Sequence, residues 1–345
     1  MRLVRDGLGF RLYAEPSQVT GRLAVCTARK YLRGMGFLHY SSQLVPERLG
    51  SEAWATAWAY IREIDDVVDR PGLTRDQALS ILEGEWEVVE RCLEGSYEFR
   101  PGDPIRYLWL KRFIELEEEH YGGSARPLIR ELYESAVMDA LRKGRVLSRR
   151  ELRRLLERKA VAFFRLYFTI SGLDLGPYRD EIAEALGLAL GMLDDALDLA
   201  YDLRSGYINV SREDLEELEL VAHVRDRGFV RELVRRGYYH ALGVDILRLL
   251  LRARSLAWRL RSRLVRNFVL RLTEAFAAPV LEGRFAPGGR YFFKGGRLLL
   301  RLLPRDEEVA YRIGHRLVSA ALSVPQLPSF LVRAWLRMVR REGGT

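Results

Sequence analysis

The chain has little cysteine, no useful grouping of histidine, few lysines and no long apolar run. Its two cysteines, Cys26 and Cys92, are too few for a disulfide framework and lack metal-ligand spacing. A reducing interior is therefore expected, with both thiols as core fillers. His39, His120, His223, His240 and His315 form no H-x-x-x-H pair and have no serine nucleophile nearby, so they read as ordinary packed or surface residues. The most apolar stretches, Ala160 to Leu173 and Leu298 to Leu303, are short and contain Arg165 and Arg301. A transmembrane helix needs about 20 apolar residues, so none is expected. Met1 to Pro16 alternates charged and apolar residues, unlike the apolar core of a signal peptide, and a cytoplasmic protein is expected.

Only Lys30, Lys111, Lys143, Lys159 and Lys294 are lysines; the other basic residues are arginines spread among glutamates along helical segments. No compact basic block interleaved with aromatics and no zinc-finger or helix-turn-helix signal is present, so nucleic acid is not an expected partner. A net charge of +9 and a pI near 9.6 leave an anionic substrate or an anionic membrane surface. The last segment, Phe330 to Arg341, is basic and amphipathic. It suits either peripheral contact with a membrane or packing of its apolar stripe on the body of the protein.

What is present in quantity is helical periodicity, which predicts an all-α protein. Thr74-x-x-Gln77 and Ser148-x-x-Glu151 have the form of capping boxes, and Pro71-Gly72, Gly122-Gly123 and Gly176-Pro177 punctuate the chain. Helices are predicted at 18–36, 47–69, 75–94, 104–120, 127–143, 149–171, 179–204, 212–226, 229–259 with a break, 262–282, 305–323 and 329–341. The short loops between them favour a single helical domain over 1–345. Within it, 1–17 is an N-terminal extension, 18–282 the catalytic bundle, and 283–345 a C-terminal appendage with further helices.

Two acidic clusters stand out: Asp65-Asp66-Val67-Val68-Asp69, and the run from Asp194 and Asp195 through Asp198 to Asp202. A step of four residues turns a helix by about 400°, so Asp65 and Asp69 share one face, as do Asp194, Asp198 and Asp202. Acidic pairs at this spacing are usually solvated surface, but here the flanks are apolar. Ala53 to Ile61 and Ile182 to Leu193 read as buried helix. Rows of like charge in such walls are costly unless cations or strong donors compensate them. Magnesium suits them, because it takes one or two carboxylates at a time and completes its shell with water and phosphate oxygens. A substrate carrying a diphosphate follows.

The segment His39-Tyr40-Ser41-Ser42-Gln43-Leu44-Val45-Pro46, followed by Arg62-Glu63-Ile64-Asp65-Asp66-Val67-Val68-Asp69, resembles the squalene and phytoene synthase family. The family's Arg-x-x-Asp-Asp-x-x-Asp helix is matched in register, and Leu186-Gly187-Leu188-Ala189 through Asp198 and Asp202 is similar to its second motif. Val137-Met138-Asp139 and Glu157-Arg158-Lys159-Ala160 stand where the family has an Asp and an Ala-rich helix. Gly191, Asp194, Leu197 and Tyr201 replace the Gln, Asn, Arg and Glu usual there, and Gly206 to Ser211 lacks the usual Arg and Pro.

The resemblance implies the class I isoprenoid (terpenoid) synthase fold with a central cavity. It also implies head-to-head condensation of two allylic prenyl diphosphates, farnesyl or geranylgeranyl, through a cyclopropylcarbinyl diphosphate to a linear hydrocarbon. The metal ligands would be Asp65, Asp69, Asp194, Asp198 and Asp202 binding Mg2+; NADPH enters only if the product is squalene. Arg62 is a candidate phosphate grip, with a salt bridge to its own aspartates as the alternative. Tyr40, Trp58, Phe164 and Phe168 are candidates for walls that shield an allylic cation, with plain core as the alternative, and Tyr201 for a replacement phosphate contact. Rival functions are another class I terpenoid synthase acting on one diphosphate, and a non-catalytic isoprenoid-binding or assembly protein.

Overall fold

Five helix starts among the described residues are made by short hydroxyl side chains that satisfy otherwise unpaired backbone N–H groups. Thr20, Thr74, Ser148, Ser211 and Ser262 each accept a hydrogen bond from the third residue beyond, and both anticipated capping boxes are complete. Gly122 (φ 58°) and Gly206 (φ 92°) end their helices in the left-handed conformation that suits glycine. The structure is a computed structural model and describes residues 2–6, 9–14, 16–33, 35, 45, 48–70, 72–287 and 296–323.

The elements in order are strands β1 (Arg2–Asp6) and β2 (Gly9–Tyr13), then α1 (Gly21–Leu32), α2 (Arg48–Val68), α3 (Arg75–Leu93), α4 (Ile105–Tyr121) and α5 (Arg126–Arg142). Next come α6 (Arg149–Leu156), a π-helical turn (Glu157–Val161), α7 (Ala162–Ser171), α8 (Arg179–Ser205) and α9 (Arg212–Glu217). The chain continues with α10 (Phe229–Arg235), α11 (Tyr238–Trp258), α12 (Arg263–Leu281), α13 (Gly296–Leu302) and α14 (Glu307–Ser323). The all-α reading holds, with additions. The N-terminal extension contains an antiparallel hairpin with Leu3 opposite Leu12, α13 was not anticipated, and the helix expected at 212–226 stops at Glu217. Cys92 is buried, but Cys26 is exposed, so only one thiol fills a core.

The chain forms two compact units. The first comprises Met1–Lys143 and Arg165–Leu173, the second Gly144–Phe164 and Asp174–Thr345. In the first, α2 packs on α1 and α4 and α3 packs on α5. Trp54, Trp109 and Phe113 are fully enclosed there. In the second, α11 is central, packed against α8, α12 and α14, while α8 also meets the π-helical turn and α12 meets α13. That last approach is close: a Cβ on Gly296 would lie 2.7 Å from the Ala278 backbone.

Candidate active site

The first acidic row lies at the C-terminal end of α2, whose upstream turns are buried through Ala53, Trp54, Ala57 and Tyr60. Asp69 stands just past the helix and continues its ladder, with its N–H donating to the Asp65 carbonyl at 2.9 Å. Arg62 reaches both neighbours, with Nη1 2.9 Å from Asp65 Oδ2 and Nη2 2.7 Å from Asp66 Oδ1. The salt-bridge reading of Arg62 is therefore realised. Its side chain keeps 41% exposure against 15% for Asp65, so the guanidinium stands nearer solvent than the carboxylate it holds.

Several polar and charged groups near this row were not singled out in the sequence as site residues. The Tyr31 hydroxyl donates to Asp66 Oδ2 at 2.9 Å, and burial together with the Asp66 and Glu63 carboxylates pushes the phenol well above its ordinary value. Tyr31 therefore stays a donor at any working pH. Lys143, just after α5, has its pKa lowered by burial, with the charge of Asp69 opposing that shift. Asp139 and Arg142 form a buried ion pair at 2.6 Å in the last turn of the same helix. No local sequence pattern marks Tyr31, because its partner lies 35 residues away.

The aromatic candidates separate. Trp58 stacks on Trp54 (5.7 Å between centroids, planes 8° apart), Tyr167 meets Trp54 edge-on at 4.8 Å, and Phe168 lies 6.0 Å from Tyr167. Trp58 and Phe168 thus belong to one continuous aromatic cluster in the first unit, and Trp58 precedes Arg62 by one helical turn. Phe164 belongs to the second unit, where it packs against Phe163 and against Phe276 of α12. Tyr40 lies outside the described residues.

The second acidic row lies on the C-terminal half of α8. Asp194 and Asp198 are exposed, and Asp202 is partly buried. Asn209 Nδ2 donates to Asp202 Oδ2 at 2.6 Å, and the Tyr207 N–H donates to the Asp202 carbonyl at 2.8 Å. Leu197 and Tyr201 are about half exposed, at 51% and 46%, and the Arg204 guanidinium lies 5.8 Å from the Tyr201 ring centroid. Asn209 is thus a polar partner of Asp202, and Arg204 is a partner of Tyr201. Neither Asn209 nor Arg204 was named as a site residue from the sequence.

Gly191 has a packing reason. A Cβ there would lie 2.7 Å from Leu156 and 3.1 Å from Ala160, and one at Gly187 would strike the backbone of Ala160 and Val161. Both glycines let α8 lie against the π-helical turn. Among the described residues, no three His, Cys, Asp or Glu side chains are gathered into a ready metal cage. The donor chemistry nevertheless fits magnesium, which binds through one or two carboxylates and takes its other oxygens from water and phosphate.

The family sequence profile for squalene/phytoene synthase matches residues 38–287, a span that contains both acidic rows. The chain belongs to the squalene/phytoene synthase family. Among solved structures, it is similar to squalene synthase HpnC from Alicyclobacillus acidocaldarius, with TM-score 0.55 and 20% identity over 77% of this chain and 97% of that one. It is also similar to a dehydrosqualene synthase in complex with ligand, with TM-score 0.60 and 14% identity over 90% of this chain and 98% of that one. These likenesses establish the terpenoid synthase fold. No curated protein sequence matches the chain significantly. Among the described residues, no helix is long and apolar enough to cross a membrane.

Proposed function

We propose that this protein is a magnesium-dependent prenyltransferase that joins two allylic prenyl diphosphates head to head, with a phytoene-type product favoured over squalene. The observation that carries the reading is one family match spanning both acidic rows. The catalytic part is residues 18–282, and the substrates are farnesyl or geranylgeranyl diphosphate. NADPH is needed only for a squalene product.

The first chemical step breaks the allylic C–O bond, and the electron pair leaves with the diphosphate. Diphosphate is a poor leaving group in an apolar setting, and magnesium, when bound, supplies charge neutralisation for it. Asp65, Asp69, Asp194, Asp198 and Asp202 are the residues that would hold it. Arg62 can exchange one of its two carboxylate partners for a phosphate oxygen, since its planar fork serves either anion. Trp58, the partly exposed member of an aromatic cluster backed by the enclosed Trp54, Tyr167 and Phe168, would offer its ring face to the allylic cation and help exclude water that would quench it to an alcohol, with Phe168 behind it. The new carbon–carbon bond then forms to the double bond of the second allylic chain, and loss of a proton gives a cyclopropylcarbinyl diphosphate. Its C–O bond breaks in turn, the second diphosphate leaves, and the rearranged cation loses a proton to give a phytoene-type product or takes hydride from NADPH to give squalene. Phe164 and Tyr40 belong to the same proposal as further wall residues.

Tyr201 is proposed as a phosphate contact acting with Arg204, whose guanidinium stands over its ring. Together they would compensate for Leu197, which occupies the position of the family's arginine. The basic segment Phe330 to Arg341 is proposed to touch an anionic membrane from which the apolar substrates arrive; it lies outside the described residues.

The test is incubation with farnesyl and geranylgeranyl diphosphate, singly and paired, with Mg2+ and with or without NADPH. Hydrocarbon and free diphosphate are scored. A coupled C30 or C40 product supports the proposal. Diphosphate release without coupling would instead mean a terpenoid synthase acting on one substrate, and neither signal would mean a binding protein.

A further inference from the structure

The helix that carries Arg62 and Asp65 and leads into Asp69 is gripped from another side by a segment that precedes the family match. The hairpin of β1 and β2 ends before residue 38, where the profile begins. Its Phe10 N–H donates to Glu63 Oε1 at 2.9 Å, and Glu63 is only 3% exposed. The approach is close enough to demand glycine next door. Gly9 has φ +110°, and a Cβ there would lie 2.2 Å from Glu63 Oε1. The hairpin is itself anchored, with the Leu12 N–H donating to the Asp103 carbonyl at 3.1 Å and the Gly102 N–H to the Leu12 carbonyl at 2.8 Å.

A second tie runs through Tyr31 of α1. Its ring packs between Phe10 (6.2 Å) and Trp109 (5.1 Å), and its hydroxyl holds Asp66 Oδ2 at 2.9 Å. The other oxygen of Asp66 receives Arg62 Nη2 at 2.7 Å, while Nη1 of the same guanidinium meets Asp65 at 2.9 Å. Glu63 and Asp65 are two residues apart, about 200° around the helix, so the anchored face and the acidic row point in nearly opposite directions. Holding one face therefore sets the rotation of the other. A misplacement of about 1 Å at a reacting group can cost about a hundredfold in rate.

We propose that Glu63 and Tyr31 are positioning residues, through which the N-terminal hairpin and α1 fix the rotation of the acidic helix and the direction of the Arg62 fork. The assignment rests on the prenyltransferase reading and deepens it. It predicts that binding of magnesium with diphosphate depends on two side chains that touch neither.

The full-length protein is compared with Tyr31→Phe, Glu63→Ala and Glu63→Gln. Four quantities are measured: the melting temperature alone, its rise on titration with Mg2+ and inorganic diphosphate, and kcat and KM for diphosphate release from farnesyl diphosphate. Tyr31→Phe and Glu63→Ala are expected to raise the titration midpoint about tenfold and to lower kcat/KM by at least a similar factor, with kcat itself reduced. Glu63→Gln keeps an acceptor for the Phe10 N–H and is expected to stay within about twofold of wild type in midpoint and kcat. A lower melting temperature with midpoint and kcat unchanged would overturn the proposal and leave both residues purely structural, as would a Glu63→Gln protein as impaired as Glu63→Ala. If Glu63→Ala does not fold, Tyr31→Phe decides alone. A wild-type protein that neither responds to Mg2+ with diphosphate nor releases diphosphate overturns the functional reading and this assignment together; a responsive wild type with unaltered variants overturns this assignment alone.

Discussion

Asp69 and Asp198 are the residues on which the proposed chemistry bears most directly, one from each acidic row. Asp69→Ala and Asp198→Ala should each lower diphosphate release by about a hundredfold or more, as expected when charge stabilisation of a leaving group is lost. The far-UV circular dichroism should stay unchanged, because one carboxylate is only partly buried and the other exposed. Glu85 and Arg106 behave differently, since both are almost fully buried and paired. Burial alone would lower the arginine pKa, but the Glu85 carboxylate raises it, and Tyr107 Oη donates to the same Glu85 oxygen at 2.8 Å. Glu85→Ala should cost about 3–5 kcal/mol in a urea titration, because it strands a buried charge. The acidic rows were legible as sequence because like charges at helical spacing inside apolar flanks are unusual. Glu85 with Arg106, and Glu63 with Phe10, were not legible, because the partners are 21 and 53 residues apart.

Helix ends were also readable, since Thr74 and Ser148 carry their capping signal within four residues. Ser148→Ala should destabilise the protein by about 1 kcal/mol at neutral pH. Its partner Glu151 has its pKa lowered by the Ser148 backbone N–H and hydroxyl. A lowered carboxylate pKa contributes stability that is complete above the unfolded value and lost as the pH falls through the folded one. Glu151→Gln should therefore be less stable than wild type at neutral pH and equal to it in acid, by thermal melts across pH. The hairpin's signal was the alternation of charged and apolar residues near the N-terminus, a period of two rather than 3.6. The π-helical turn carried none. It is recognised only from the partner helix, where Gly187 approaches Ala160 and Val161. Gly187→Ala should cost about 1–3 kcal/mol by overpacking, measured as a shift in urea midpoint.

A charge of +9 on a protein proposed to act on a diphosphate bears on encounter at the scale of the whole molecule. Raising ionic strength from about 0.05 M to about 0.5 M should lower kcat/KM several-fold with kcat nearly constant, because screening weakens attraction over distance more than contacts already made. Initial rates at several salt concentrations check this. The sequence by itself determined the helical class, most helix ends, the two acidic rows and the resemblance to the family, because helical period, capping and charge spacing act over a few residues. Only the tertiary structure decided that Trp58 and Phe168 share a cluster while Phe164 packs against α12, that Gly191 is a packing contact, and that a hairpin holds Glu63. Those outcomes depend on which faces of distant elements meet, and no local pattern contains that information.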